Sequence, residues 1–337
     1  MWRKEIAHGS HRFEAVRQVA FDVRSTVLAH VQGRPPRPSF PVMHSAQLPT
    51  SHFFTVDVEE YFQVKALESV VRKDEWLSHP SRVARSIDSL LGSLERYETR
   101  GTFFVLGWLA QHRPEVVLAI ADAGHEVGSH GFWHERVTTL DRAAFREDIR
   151  SSKAALEDLV GASVVGYRAP NFSIIPGCEW AFDVLIEEGY RYDSSLFPIR
   201  RRGYGYPAAL RVPHVIQRQN GRLAEFPMAT TRILAYPVPA AGGGYLRQFP
   251  YAVIRRAFHE ATERGEPATF YIHPWEIDPG QPRLPVSSLN RIRQYRGLDG
   301  ALARVERLLE EFRFGTIASY LPQLEARASS TAAEGAA

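Results

Sequence analysis

One cysteine, Cys178, stands in a chain of 337 residues. A single thiol excludes an intrachain disulfide framework, a Cys-rich zinc site and an iron–sulfur cluster. No stretch approaches the length of apolar sequence that a membrane-spanning helix needs. A strong charge of one sign is also lacking, since 41 Lys+Arg face 38 Asp+Glu for a net +3. Even that small excess is local. Residues 1–40 carry seven basic and three acidic side chains, which leaves 41–337 at −1 and gives the body no basic surface for nucleic acid. What is present is 44% hydrophobic and 23% charged residues, usual for a globular chain, together with 13 histidines as candidate ligands or acid/base groups.

The ends differ from the middle. Residues 1–45 read as a basic extension whose Pro35, Pro36, Pro38 and Pro41 form a stiff linker. Its apolar window is broken by Asp22, Arg24 and His30, so it is not a secretory signal, and the expected location is cytoplasmic with the periplasm left open. Residues 326–337 are small and polar and read as a disordered tail.

Residues 50–325 read as one domain in which strand-like and helix-like segments alternate. Strands are expected at 52–58, 101–107, 125–130, 164–169, 190–194, 212–217, 224–229, 268–273 and 315–319. Helices are expected at 80–97, 114–123, 141–160, 179–188, 250–264 and 298–312. This alternation predicts a parallel α/β architecture, and the strand number favours a barrel over an open sheet.

The expected strands end in ionisable groups: Asp57 and Glu59, His130 with His134 beyond it, Arg168, Asp193, and His273. In a parallel α/β fold such ends converge on one face, where the chemistry sits. Buried charges need partners, and the partners nearest to hand are one another and a metal ion. A spacing of four would put His130 and His134 on one face of a helical turn, although two histidines four apart also arise by chance among thirteen. A hydrolytic zinc site takes three protein ligands and keeps one position open, so Asp57 or Glu59 would complete the set. Those two carboxylates lie two apart on a strand and point the same way, so one can bind metal while the other accepts a proton from water. Arg168 would hold the base ionised through a bidentate ion pair. His273 is the natural acid for a leaving amine, although a lone histidine after an apolar run is more often a core residue. Gly242-Gly243-Gly244 lacks a following Lys-Ser/Thr and reads as a tight turn with a nearby backbone contact, not a phosphate loop. His259 and Cys178 fall in helical patterns and read as structural.

The order of these segments resembles the NodB-homology polysaccharide deacetylases, carbohydrate esterase family 4. Thr55-Val56-Asp57-Val58-Glu59 corresponds to the first family motif and His130 to His134 to the second. Arg168-Ala169-Pro170, Tyr192-Asp193-Ser194-Ser195 and Tyr271-Ile272-His273 follow as the third, fourth and fifth. The variants DVEEYFQV, GSHGFWHE, YRAPNFSI, YDSSLFP and IHPWEID look most like the branch found with exosortase-type exopolysaccharide gene clusters. The resemblance implies a distorted, incomplete (β/α) barrel with a C-terminal family-specific extension, a divalent metal of the Zn2+ type, and hydrolysis of N-acetyl groups on an amino-sugar polysaccharide. It assigns Asp57, Arg168 and His273 to catalysis, and Glu59, His130 and His134 to the metal. Pro170, Asp193 and Trp275 fall to substrate binding.

Three departures from the family stand out. Val58 occupies the usual metal-binding Asp position, which passes that role to Glu59. Gly131 replaces a Ser/Thr. Leu196 and Phe197 replace Asp-Trp, which leaves Asp193 or Glu276 to orient His273. Residues 197–207, with Arg200, Arg201, Arg202, Tyr204 and Tyr206, form an expected rim loop suited to gripping an anionic polymer, or a plain solvated loop. The alternatives are an allantoinase-like hydrolase of a small cyclic amide and an inactive carbohydrate-binding scaffold. A homo-oligomer is compatible with the sequence, and neither a nucleic acid nor a membrane span is expected.

Overall fold

Strand β1 (His52–Val58) is buried along its whole length, which explains why it reads as a continuous aromatic and β-branched run. It is flanked in parallel by β2 (Thr102–Val105) and β10 (Thr269–Ile272), with Val56 opposite both Phe103 and Ile272. The structure, a computed structural model, describes residues 51–201 and 203–334. The expected extension over 1–45 lies outside the described residues.

From β2 the sheet continues through β3 (Glu126–Ser129), β4 (Gly166–Tyr167) and β5 (Tyr192–Asp193), all parallel. It ends in a hairpin of β6 (His214–Arg218) and β7 (Gly221–Glu225), where β7 pairs parallel with β5. A single bridge from Met228 to Thr269 then brings the chain after β7 onto β10 and draws the sheet round into a distorted barrel. A second hairpin, β8 (Thr230–Ile233) with β9 (Tyr236–Pro239), stands apart from the sheet, and β11 (Phe314–Gly315) adds beside β1. Helices Val83–Arg96, Pro114–Asp122, Arg142–Val160, Trp180–Glu187, Tyr251–Glu263 and Ala301–Glu311 lie within the six expected segments. The longest is bounded by an Asp141 cap, which accepts from Ala144 N at 2.8 Å, and by left-handed Gly161.

Strand alternation sorts the side chains. On β1, Phe54, Val56 and Val58 join the main core with the surrounding helices. Phe53 belongs instead to a second cluster with Phe104, Tyr192, Phe226, Ile317 and Leu321, which fills the lower lumen. Thr55, Asp57 and Glu59 share the parity of Phe53 and so rise through the same lumen toward the carboxyl ends of the strands.

Three expectations are corrected. Residues 315–319 are not a strand: β11 stops at Gly315 and helix Ile317–Glu334 begins, because Ile317, Leu321 and Leu324 fall at helical spacing and plug the lumen. That helix continues through 326–334, where a disordered tail was expected, in a run rich in alanine, the strongest helix former. The glycine triplet does make the close backbone contact, with Gly242 bridged to Tyr271, and it also opens a short helix, Gly243–Gln248. Among the described residues no helix is long and apolar enough to cross a membrane.

Candidate metal centre and acid–base site

The lumen parity brings Asp57 beneath Arg168. Arg168 is fully buried, and its Nη1 donates to Asp57 Oδ1 at 2.6 Å and to Thr55 Oγ1 at 2.7 Å. Its Nε and Nη2 donate to the Ser194 carbonyl and hydroxyl at 2.9 and 2.8 Å, and its guanidinium lies over the Phe104 ring at 4.2 Å. The expected bidentate pair is therefore corrected to a single contact. Ser194 takes the other edge of the fork, and Asp57 Oδ2 is left to face His273 Nε2 at 3.9 Å.

Glu59, His130 and His134 each offer one ligand atom, all within 4.8 Å of one another, and all three side chains are buried. His130 Nδ1 lies 2.8 Å from the Arg168 carbonyl, which can only accept, so Nδ1 carries the hydrogen and Nε2 keeps its lone pair for a metal. Burial drives the His130 imidazole well below its ordinary pKa and keeps it neutral, the ligating form. Glu59 Oε2 is buried, accepts no hydrogen bond, and stands 2.7 Å from His134 Nε2. Burial alone would raise the Glu59 carboxyl, but the imidazoles of His134 and His273 outweigh it and hold the group at about 2. An orphaned carboxylate oxygen beside two imidazoles is the donor set of a zinc-type site, so these residues fit a divalent metal.

The histidine pair is not on a helical turn as its spacing predicts. Residues 130–134 form a loop in which Gly131 and His134 adopt φ of 75° and 56°. Asp148, from helix Arg142–Val160, clamps that loop by accepting from Phe132 N and Trp133 N at 3.0 and 3.1 Å. A Cβ on Gly131 would come within 2.6 Å of Asp148 Oδ2, which is why the usual Ser/Thr is absent here. No sequence signal pointed to Asp148, since it lies mid-helix outside every motif.

His273 closes the site from β10. Its Nδ1 donates to Glu276 Oε2 at 2.9 Å, so Nε2 faces Asp57 and Glu59. Of the two orienting carboxylates left open by the sequence, the structure selects Glu276. Burial would lower the His273 pKa, but Glu59, Glu276 and Asp57 together raise it to about 9. Burial would raise Glu276, and Arg247 with His273 outweighs this and holds it at about 2. Arg247, absent from any motif, donates to Glu276 Oε1 at 2.7 Å and to the carbonyls of Arg293 and Arg296 at 2.8 and 2.6 Å.

The structure buries all three expected substrate contacts. Asp193 is wholly buried, accepts from Ser195 N and Oγ, and pairs with Glu225. Through Ser195 Oγ, which accepts from Ala169 N at 2.8 Å, it supports the Arg168 segment. Trp275 is 8% exposed and donates its indole N–H to Glu59 Oε1 at 2.9 Å. Pro170 is buried beside the histidine loop. In the rim loop, Tyr206 donates to Glu179 and Tyr204 bonds Tyr245, so both tyrosines are committed internally. Arg202 lies outside the described residues.

The curled sheet thus sets a buried Glu/His/His cluster at its strand ends with an Arg-held carboxylate beside it. Residues 79–176 match the polysaccharide deacetylase family model, and residues 194–322 match a domain of unknown function, DUF3473. The likeness to the polysaccharide deacetylases is carried by that first stretch, residues 79–176. The chain is 33% identical over 112 residues to the peptidoglycan deacetylase of Helicobacter pylori, covering 33% of this chain and 36% of that one. The chain thus spans about a third of that relative's length. A structure from Mycobacterium smegmatis assigned as a polysaccharide deacetylase superposes with a TM-score of 0.57 at 20% identity, covering 87% of this chain and 96% of that one. Puue allantoinase gives the same TM-score at 16% identity over 87% and 98%, so the fold likeness does not separate the two chemistries.

Proposed function

We propose that this protein hydrolyses N-acetyl groups on an amino-sugar polysaccharide, with a divalent metal of the zinc type held by Glu59, His130 and His134, in the making of an exopolysaccharide. The observation that carries this reading is the convergence of three devices in one lumen. His273 Nε2 lies 3.9 Å from the Arg-held carboxylate Asp57 and 3.7 Å from the ligand carboxylate Glu59.

A divalent metal at this site supplies Lewis-acid polarisation of the acetyl carbonyl and acidifies water. Asp57, fixed through Oδ1 by Arg168, has Oδ2 open to accept the proton of the attacking water. His273, fixed through Nδ1 by Glu276, presents a protonated Nε2 to the departing amine. The products are acetate and a free amino sugar. A donor is needed here because an amine is a poor leaving group unless it is protonated as the C–N bond breaks.

The test is acetate release from N-acetylglucosamine oligomers by purified protein, before and after chelation and with zinc restored. Metal-dependent release that disappears in Asp57→Asn supports the reading. Release unaffected by exhaustive chelation, or no release with zinc bound, overturns it.

A further inference from the structure

Trp275 makes contacts that a substrate platform would not. Its indole N–H points at Glu59 Oε1 from 2.9 Å, leaving Oε2 as the carboxylate oxygen without a hydrogen bond. Its ring stacks on His273, with centroids 5.2 Å apart and planes 23° from parallel. The Arg247 guanidinium lies 5.2 Å over the same indole. Arg247 is itself tied to Glu276 and to backbone carbonyls on the loop after helix Ser288–Tyr295 and within that helix. The indole is therefore held between a fixed cation and the acid imidazole, and its one donor has one use.

A carboxylate with both oxygens free can swing between one-oxygen and two-oxygen ligation and can rotate away from the metal. A hydrogen bond to one oxygen removes that freedom and sets the other toward the imidazoles. We propose that Trp275 is a positioning residue of the metal centre, whose indole N–H holds Glu59 so that it offers the metal one oxygen, Oε2. This rests on the metal reading of Glu59, His130 and His134. It also gives the DUF3473 stretch a definite task. Residues 194–322 supply the acid His273, its carboxylate Glu276, the brace Arg247 and the anchor of a ligand that lies outside that stretch, one residue past β1.

The experiment is a zinc competition between the purified full chain, stripped of metal, and a chromophoric chelator. Wild-type protein should bind one equivalent. Trp275→Phe keeps an aromatic ring but has no donor, and its zinc affinity should fall by about 10- to 100-fold. Trp275→Met, apolar and likewise without a donor, serves if the phenyl variant unfolds. With cobalt(II) in place of zinc, the visible absorption of the donor-less variants should change in intensity and position, since freeing Oε1 alters the ligand number. Trp180→Phe, a half-buried indole on helix Trp180–Glu187, should bind as wild type does. Equal affinity and identical cobalt spectra in wild type and the Trp275 variants overturn this inference while leaving the metal reading in place. If wild type binds no zinc, both fall together.

Discussion

The two ends of the barrel lumen are built from the same strands and carry opposite chemistry. Below, Phe53, Phe104, Tyr192 and Phe226 pack edge to face under helix Ile317–Glu334. Above, from the same parity of β1, Thr55, Asp57 and Glu59 meet Arg168 and the imidazoles. Phe104 is the boundary, because its ring carries the Arg168 guanidinium. A dry aromatic floor does more than stabilise the fold. It keeps water from reaching the guanidinium from beneath, so the ion pair with Asp57 acts in a medium of low polarity, where it is strong and geometrically fixed. Stability belongs to the lower layer and reactivity to the upper, and each depends on the boundary.

Arg168 should therefore be the one position at which both layers fail. Arg168→Met leaves Asp57 as an uncompensated buried charge, and it should lower unfolding stability by about 3–5 kcal/mol in denaturant titrations while abolishing acetate release. If only one of the two properties changes, the layers are not coupled through this residue. Phe226→Ala, in the floor, should cost about 3–5 kcal/mol of stability. Turnover per folded molecule should stay near wild type, and a large loss would show that the floor shapes the site directly. In the upper layer His273→Ala should lower kcat by at least about 10²-fold with little change in Tm. Wild-type-like turnover in that variant would remove His273 from the acid–base pair.

The smallest effect is expected between the layers, where Asp193 and Glu225 lie together. Burial pushes Asp193 up to about 6, and burial together with Asp193 pushes Glu225 well above its ordinary value. Glu225 Oε1 accepts from Leu196 N at 3.0 Å, which ties the pair to the start of the following segment. A carboxyl whose pKa is raised by folding favours the native state at low pH, and that contribution is lost as pH rises through the folded value. Relative to Glu225→Gln, wild-type Tm should therefore fall as pH increases from about 4 through 6 and above. Parallel melting curves for the two proteins would show that the pair does not share a proton.

Much of this arrangement is written locally. The alternation of Phe53, Thr55, Asp57 and Glu59 on a strand already fixes which side chains share the lumen, and the strand-helix alternation fixes the parallel barrel. What stayed hidden depends on conformations or partners that leave no periodic trace. The His130–His134 loop needs a left-handed histidine, which no spacing rule anticipates. Asp148 and Arg247 act across long sequence separations from positions that look like ordinary helix residues. The resemblance assigns Trp275 to substrate binding, and only the structure shows its indole N–H turned inward to Glu59. The hairpin β8–β9 passed unread because prolines 237 and 239 argue against a strand, and they are tolerated here since the hairpin stands apart from the sheet.

The place of β1 sets an order of events in the life of the chain. Its parallel partners come from opposite ends of the fold: β2 follows closely, while β10 and β11 begin at Thr269 and Phe314. As synthesis proceeds, Asp57, His130 and His134 emerge long before His273. Until β10 arrives, one side of His52–Val58 is a bare, flat, aromatic edge, the kind that pairs with other chains. A chain cut short ahead of residue 268 would therefore be lost to aggregation before it could persist as a half-built catalyst.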